Sequence, residues 1–320
     1  MQNGVFQTGN PRWSAVFSLF MGVMDLIAAE FIPVSLLTPI ARDLAVSEGM
    51  AGQTVTAVGV LAVLTSLLLA PLTGNTDRRR ILLAFSAMLV ASYMLIGMAP
   101  TYSIMLIGRA ILGICVGGFW SLASAVTLQL VPTKDVPRAL SIVYAGVSVA
   151  TIIALPVASW IGHLIGWRNV FFLGALMAAF GFVWQYRALP SLPARTGSGF
   201  RDMSALLRRT WILAGIGGNI LSFGGYHIFF TYLRPFLELD LALGANTLSV
   251  ILLVFGVANV LGTFIAGALL GNHFRSTMIL VHLAFTAAAL ALLLSQGHAD
   301  IGIALAVFWG FAFGFTPVGW

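Results

Sequence analysis

Long apolar runs separated by short polar breaks organise the whole chain. A helix that crosses a bilayer needs about 20 mainly apolar residues, and ten runs reach that length, at about 14–38, 52–72, 81–99, 104–131, 139–163, 169–187, 211–234, 246–271, 277–295 and 300–320. Stretches such as ILLAFSAMLVASYMLIGM lack the residue-by-residue alternation of a membrane barrel, so the runs predict helices. The first run is long enough to span and carries no A-x-A-like site after a short core, which predicts a retained helix rather than a cleaved leader. The last run is still apolar at Trp320.

The largest break is RALPSLPARTGSGFRDMSALLRR, residues 187–209, where Pro, Gly, Ser and Arg replace the apolar pattern. It predicts a six-helix bundle over 1–187, a cytoplasmic linker over 188–210 and four further helices over 211–320. Internal repetition agrees with that division. APLTGNTDRRRILLAF after the second run is similar to GALLGNHFRSTMIL after the eighth, so that Gly74 and Asn75 match Gly271 and Asn272. The same offset of 197 residues carries Gly113 and Gly117 onto Gly310 and Gly314. A second half of equal length would end near residue 384. The expectation is therefore an all-α polytopic membrane protein with a six-plus-six helix bundle, here C-terminally truncated to ten of twelve transmembrane helices.

Composition strengthens this picture: 59% of residues are hydrophobic and 8% charged, against roughly a quarter charged in a soluble domain. The net charge of +6 could suggest nucleic acid, but its placement argues for topology instead. With the N-terminus inside, twelve basic residues fall on the inner side, among them Arg12, Arg78, Arg79, Arg80, Lys134 and Arg138. Only Arg42, Arg168 and Arg234 fall on the outer side, and Arg109 lies within a span. This bias predicts a multi-pass protein with a cytoplasmic N-terminus. Cys115 is the only cysteine and sits in an apolar helix, which removes disulfide frameworks and cysteine metal clusters. The one lysine, Lys134, lies in VPTKDVP, which is not a phosphate-binding loop, and neither H-E-x-x-H nor G-x-S-x-G occurs. No enzyme chemistry and no cofactor are expected.

The chemistry must then come from charges inside the helices. Asp25 and Glu30 lie in the first run and Arg109 in the fourth. An ionised carboxylate in hydrocarbon is costly unless paired, and burial and a nearby arginine push its proton affinity in opposite directions. At about 1.5 Å per residue, Glu30 lies about 7 Å and Arg109 about 12 Å to the outer side of their helix midpoints, whereas Asp25 lies near the midplane. Glu30 paired with Arg109 is the favoured proton-coupling site. A static salt bridge is the competing reading; Asp25 is carried as a further proton-coupling residue that can also line a polar cavity and bind substrate, or make a structural bond.

EFIPVSLLTPI in the first helix, GNTDRRRILL after the second and IGRAILGICVGGFW in the fourth resemble the major facilitator superfamily, in its drug, sugar and nucleoside efflux group. WSAVFS, SEGMAGQTVT, IGWRNVFF, LPSLP, FFTYLRPF and PVGW are similar to the purine ribonucleoside efflux branch. The resemblance runs from Trp13 to the end and is looser over 211–310. It implies a proton-coupled antiporter of the bacterial inner membrane that exports purine ribonucleosides and purine analogues by alternating access. It assigns Arg109 to proton transfer and Asp77, Arg78 and Arg80 to gating, although the family's later glycine in that loop is absent here. Gly146, Ala150, Ala154, Ala158 and Gly162, around Pro156, form a small-residue stripe that resembles the antiporter motif, with Leu155 where the family has glycine.

A purine nucleoside offers a flat ring and polar edges, so its site should combine aromatic and amide or acid groups. Asn219, Phe223, Tyr226 and Phe230 share one stripe of the seventh helix, and Trp120 lies on the fourth. Trp120, Phe223 and Tyr226 are expected to stack on or enclose the base, with Asn219 and Asp25 as polar contacts; helix packing is the competing reading for the same stripe. The expected partners are a small-molecule substrate, protons and the lipid bilayer, with no nucleic acid, and the chain is expected to be a monomer. Export of sugars or mixed drugs by the same machine, and a membrane receptor or scaffold that keeps the fold, remain alternatives.

Overall fold

The computed structural model describes residues 11–74, 76–193, 209–294 and 298–316. It is helical, as the apolar runs require. The helices are α1 (Trp13–Ser35), α2 (Leu37–Asp43), α3 (Glu48–Thr73), α4 (Arg78–Gly97), α5 (Tyr102–Leu130), α6 (Val136–Ile165), α7 (Trp167–Ala188), α8 (Thr210–Pro235), α9 (Ala245–Leu294) and α10 (Ala299–Phe313). Among the described residues nine windows are long and apolar enough to cross a membrane, and α10 is a shorter apolar helix. Most of the expected linker, 188–210, lies outside the described residues, as do Asn75 and the PVGW segment.

Two elements differ from the pattern of runs. The first run is divided at Leu36, which leaves the helical region with φ −120° and ψ 14°. Pro33 and Pro39 flank this break, and each removes a backbone donor from the helix ladder. The eighth and ninth runs share one helical element, α9, which holds two crossing windows, Ala245–Ala266 and Arg275–Leu294. No proline falls within α9, so nothing in its backbone forces the polar break to end the helix.

By compactness the chain forms two units, the first comprising Met1–Glu30, Gln53–Ala150 and Trp167–Ser204, the second Phe31–Gly52, Thr151–Gly166 and Ala205–Trp320. The dividing line passes through α1 and α6 rather than falling only in the long polar break. In the first unit α4 packs against α5 and α7. Its fully buried side chains include Arg109, Tyr93, Phe119, Phe171 and Leu82. Much of the outward surface of α3 is apolar (Val60, Val63, Leu64, Leu67), as a lipid-facing helix should be. In the second unit α9 packs against α10, and Tyr226, Phe230, Phe255 and Phe313 form an aromatic core.

The 197-residue repeat is visible as the same contact made twice. A Cβ on Gly113 would lie 2.6 Å from the Val58 carbonyl oxygen, and one on Gly310 would lie 2.8 Å from that of Phe255. Likewise, a Cβ on Gly117 would run into the carbonyl of Ala62, and one on Gly314 into that of Asn259. Both partners of each pair are related by the one offset. Glycine is required because the backbones approach too closely for a side chain. A second repeat signal lies in the left-handed alanines Ala45 and Ala242, both at φ 52°. Each ends a DLA tripeptide, Asp43–Ala45 and Asp240–Ala242, at the same offset.

Candidate functional site

The proline in α1 explains where Arg109 goes. Pro33 has no N–H to give to the carbonyl of residue 29, four positions back. Arg109, which is 0% exposed, supplies the donor: its Nη1 bonds Ala29 O at 2.7 Å. Its Nε bonds Thr54 O on α3 at 3.1 Å, and Nη2 bonds the main-chain oxygen of Glu30 at 3.4 Å. The expected ion pair is thus replaced by main-chain contacts, because the carbonyls lie on the α1 face that Arg109 reaches. The Glu30 carboxylate, half-buried, remains near enough to act on the guanidinium electrostatically.

Asp25 occupies the interior of the first unit and is 2% exposed. Its main-chain oxygen accepts from the Tyr93 hydroxyl at 3.1 Å, whereas its carboxyl has no hydrogen-bond partner among the described residues. The carboxyl borders a cavity of about 10 Å³, room for about one water, that is also lined by Gly22, Ser86, Phe119, Gly181 and Gln185. A Cβ on Gly181 would lie 2.8 Å from Asp25 Oδ2, so a glycine keeps the carboxyl's place open. Ser86 donates to Gln185 Oε1 at 2.6 Å and Gln185 Nε2 donates to Ser18 O at 3.2 Å, which ties α4, α7 and α1 around the acid. Gln185, 1% exposed, is a site residue that reasoning on the sequence missed. An amide inside the sixth apolar run was its signal.

The loop before α4 is built on Asp77. Its Oδ1 accepts from Arg79 N at 2.8 Å, capping the helix, and from Leu192 N at 2.9 Å, while Oδ2 accepts from Ser191 Oγ at 2.5 Å. Arg78 N bonds Leu192 O at 2.8 Å, and its Nη1 bonds Thr73 Oγ1 at 2.9 Å. Partial burial works against the Asp77 carboxylate, but the hydrogen bonds from Ser191, Leu192 and Arg79 and the charge of exposed Arg80 outweigh it. Its pKa is held below the usual carboxylate value. The loop's bonds go to the segment that follows α7, within the same unit.

Gly146 of α6 lies against α1, where an added Cβ would be 2.7 Å from Phe20 O and 3.1 Å from Met24 N, directly beside Asp25 in sequence. Ala150, Ala154 and Ala158 are buried, and Pro156 lies inside α6. Trp120 stacks on Tyr144, with ring centroids 5.6 Å apart and planes at 15°, and the Tyr144 hydroxyl lies 2.7 Å from Ser124 Oγ. In the second unit Tyr226, 2% exposed, stacks with both Phe230 and Phe313, so its ring is engaged in packing. Phe223 meets Phe313 edge-on, and Asn219 is half-buried on the same helix. Asn259 donates to Gly310 O at 3.2 Å. Among the described residues no group of His, Cys, Asp or Glu is placed to hold a metal ion.

The family model of the Major Facilitator Superfamily matches residues 17–320. The purine ribonucleoside efflux pump NepI of Salmonella typhimurium is 39% identical over 310 residues, covering 97% of this chain and 78% of that protein. The NepI of Salmonella paratyphi C matches at the same level. Among solved structures, the nucleoside transporter NupG (D323A mutant) superposes with a TM-score of 0.77 at 13% identity, covering 96% of this chain and 81% of that one. The D-xylose-proton symporter gives 0.71 at 16% identity, covering 97% and 81%. At these identities the structures speak for the fold, while the family model and the NepI relatives speak for descent. The chain belongs to the major facilitator superfamily and is a multi-pass membrane transporter rather than an enzyme.

Proposed function

We propose that the chain is a proton-coupled exporter of purine ribonucleosides and purine analogues, acting by alternating access in the bacterial inner membrane with its N-terminus in the cytoplasm. The observation that carries the reading is Asp25, a buried carboxyl with no hydrogen-bond partner of its own among the described residues, beside a water-sized cavity. Such a group is stable when protonated and costly when ionised, so its proton is the one that can be exchanged for cargo. Glu30 serves as the second acid, whose charge is felt by Arg109. Gly146 lets α6 lie against the turn of α1 that bears Asp25, so movement of one helix is transmitted to the other, with Pro156 as the point where α6 yields. Asp77, Arg78 and Arg80 brace the inner loop.

The substrate class is supported by the relatives, whose name states export of purine ribonucleosides, and by chemistry that fits. Trp120 with Tyr144 offers a flat stacking surface in the first unit, and Asn219 with Phe223 offers an amide beside a ring in the second. Efflux of radiolabelled inosine from cells expressing the protein, against arabinose and a cationic dye, tests the assignment. Inosine efflux that collapses with the proton gradient, and is lost in Asp25→Asn, is the expected result. Preferential efflux of arabinose or dye moves the protein to another substrate class, and undiminished gradient-driven flux in Asp25→Asn removes that residue from coupling.

A further inference from the structure

A second buried arginine is pinned to the same stretch of chain as the first, by a related backbone device. Ser35 is the last residue of α1, where carbonyls lack intrahelical donors, and Pro39, in the first turn of α2, has no N–H to offer it across the break. The donor is Nη1 of Arg234, near the end of α8. The same Nη1 reaches Ser159 Oγ of α6 at 3.3 Å. The π-helical turn Phe236–Asp240 brings Glu238 round to pair with Arg234 Nε at 2.9 Å. Arg234 is 7% exposed, Ser35 0% and Ser159 1%. A cavity of about 470 Å³ opens beside the cluster, bordered by Leu36, Pro39, Arg42, Gly162, His163 and Glu238.

We propose that Arg234 is a latch: it holds the break between α1 and α2 against α8 and α6, and this end of the helices opens only when its bond to the Ser35 carbonyl is released. The role of Pro39 is to offer that carbonyl no N–H across the break. Glu238 keeps the guanidinium aimed, because an arginine paired on one edge presents its remaining donors in a fixed direction. By the charge bias this is the outer end, where cargo leaves; that placement rests on the reading of the chain as an alternating-access carrier.

The test is the rate at which a maleimide labels a cysteine at Leu36→Cys, a position 1% exposed beside the cavity, in a Cys115→Ala background in lipid nanodiscs. Arg234→Ala is expected to raise that rate about tenfold, since a buried carbonyl loses its donor. Arg234→Lys should restore part of the protection. Pro39→Ala, which keeps the arginine, should raise the rate by a smaller factor, because the new N–H competes for Ser35 O. The double variant should label no faster than Arg234→Ala alone. A control cysteine at Leu82→Cys in the first unit should not respond to any of these changes. An unchanged rate in Arg234→Ala, or effects that multiply in the double variant, would overturn the latch. If Arg234→Ala does not fold, an unchanged rate in Pro39→Ala overturns it alone. The readout needs neither substrate nor proton gradient, so its failure is distinguishable from failure of the transport assignment.

Discussion

Arg109 and Arg234 make an instructive pair. Each is buried, each belongs to a different compact unit, and each ends on a main-chain carbonyl without a helical donor, Ala29 because Pro33 follows within the same helix and Ser35 because the helix ends there with Pro39 beyond the break. Their charges are met differently. Arg234 has the Glu238 carboxylate at 2.9 Å, on a side chain that is 26% exposed. Among the described residues Arg109 is in contact with carbonyl dipoles, with Glu30 acting from further off. A cation paired at contact and bonded to a buried carbonyl is held in one place, so Arg234 suits a mechanical fastening. A cation without a carboxylate at contact in a low-dielectric interior is exposed to the field of nearby acids, and this is the electrostatic difference between the two sites.

The largest expected effect is in stability. Arg109→Ala leaves the buried Ala29 carbonyl without any donor and removes the contacts to the Thr54 and Glu30 carbonyls, and should cost about 2–3 kcal/mol in thermal melts of the detergent-solubilised protein, whereas Arg234→Ala, beside a part-exposed pair, should cost about 1–2 kcal/mol. Equal costs would remove the distinction between the two sites. Next come the matched glycines: Gly117→Ala and Gly314→Ala both push a methyl into a facing backbone, and each should lose about 1–3 kcal/mol on the same assay. A loss in only one would mean that the repeated contact is not repeated in energy.

Smaller and of opposite sign is the effect of relieving the left-handed alanines. Ala45→Gly and Ala242→Gly should each stabilise by up to about 1 kcal/mol, since only glycine adopts that backbone region without steric cost. The smallest effect concerns pH. Because the folded-state pKa of Asp77 lies below its unfolded value, its contribution is present above the ordinary carboxylate range and lost as pH falls through the lowered folded pKa. Asp77→Asn should therefore be slightly less stable than the parent near neutrality and converge with it under acid. A gap that persists at low pH would assign the effect to the lost cap rather than to charge.

Much of the architecture was legible in the chain because a bilayer demands long apolar runs, and a run is a local property. The spans from α3 to α8 were found close to where they occur, and the 197-residue repeat reappears as the Gly113 and Gly310 contacts. The partner of Arg109 was read incorrectly because charge complementarity suggested a carboxylate. The local signal that could have corrected it is the proline itself: Pro33 and Pro39 announce two carbonyls in search of donors. The helical spacing placed Tyr226 on one stripe with Phe223 and Phe230, but spacing names a face and not its neighbours, and the contact with Phe313 of α10 was not legible from it.

The sequence by itself determined that the protein is a multi-pass membrane protein and where most of its helices run. Those follow from transfer energies that act residue by residue. Only the tertiary structure decided which donor meets which orphaned carbonyl, that Gly181 and Gln185 frame Asp25, and that Arg234 reaches across to Ser35 and Ser159. Such pairings depend on helices distant in sequence arriving within about 3 Å of one another, a constraint of packing that no local pattern encodes.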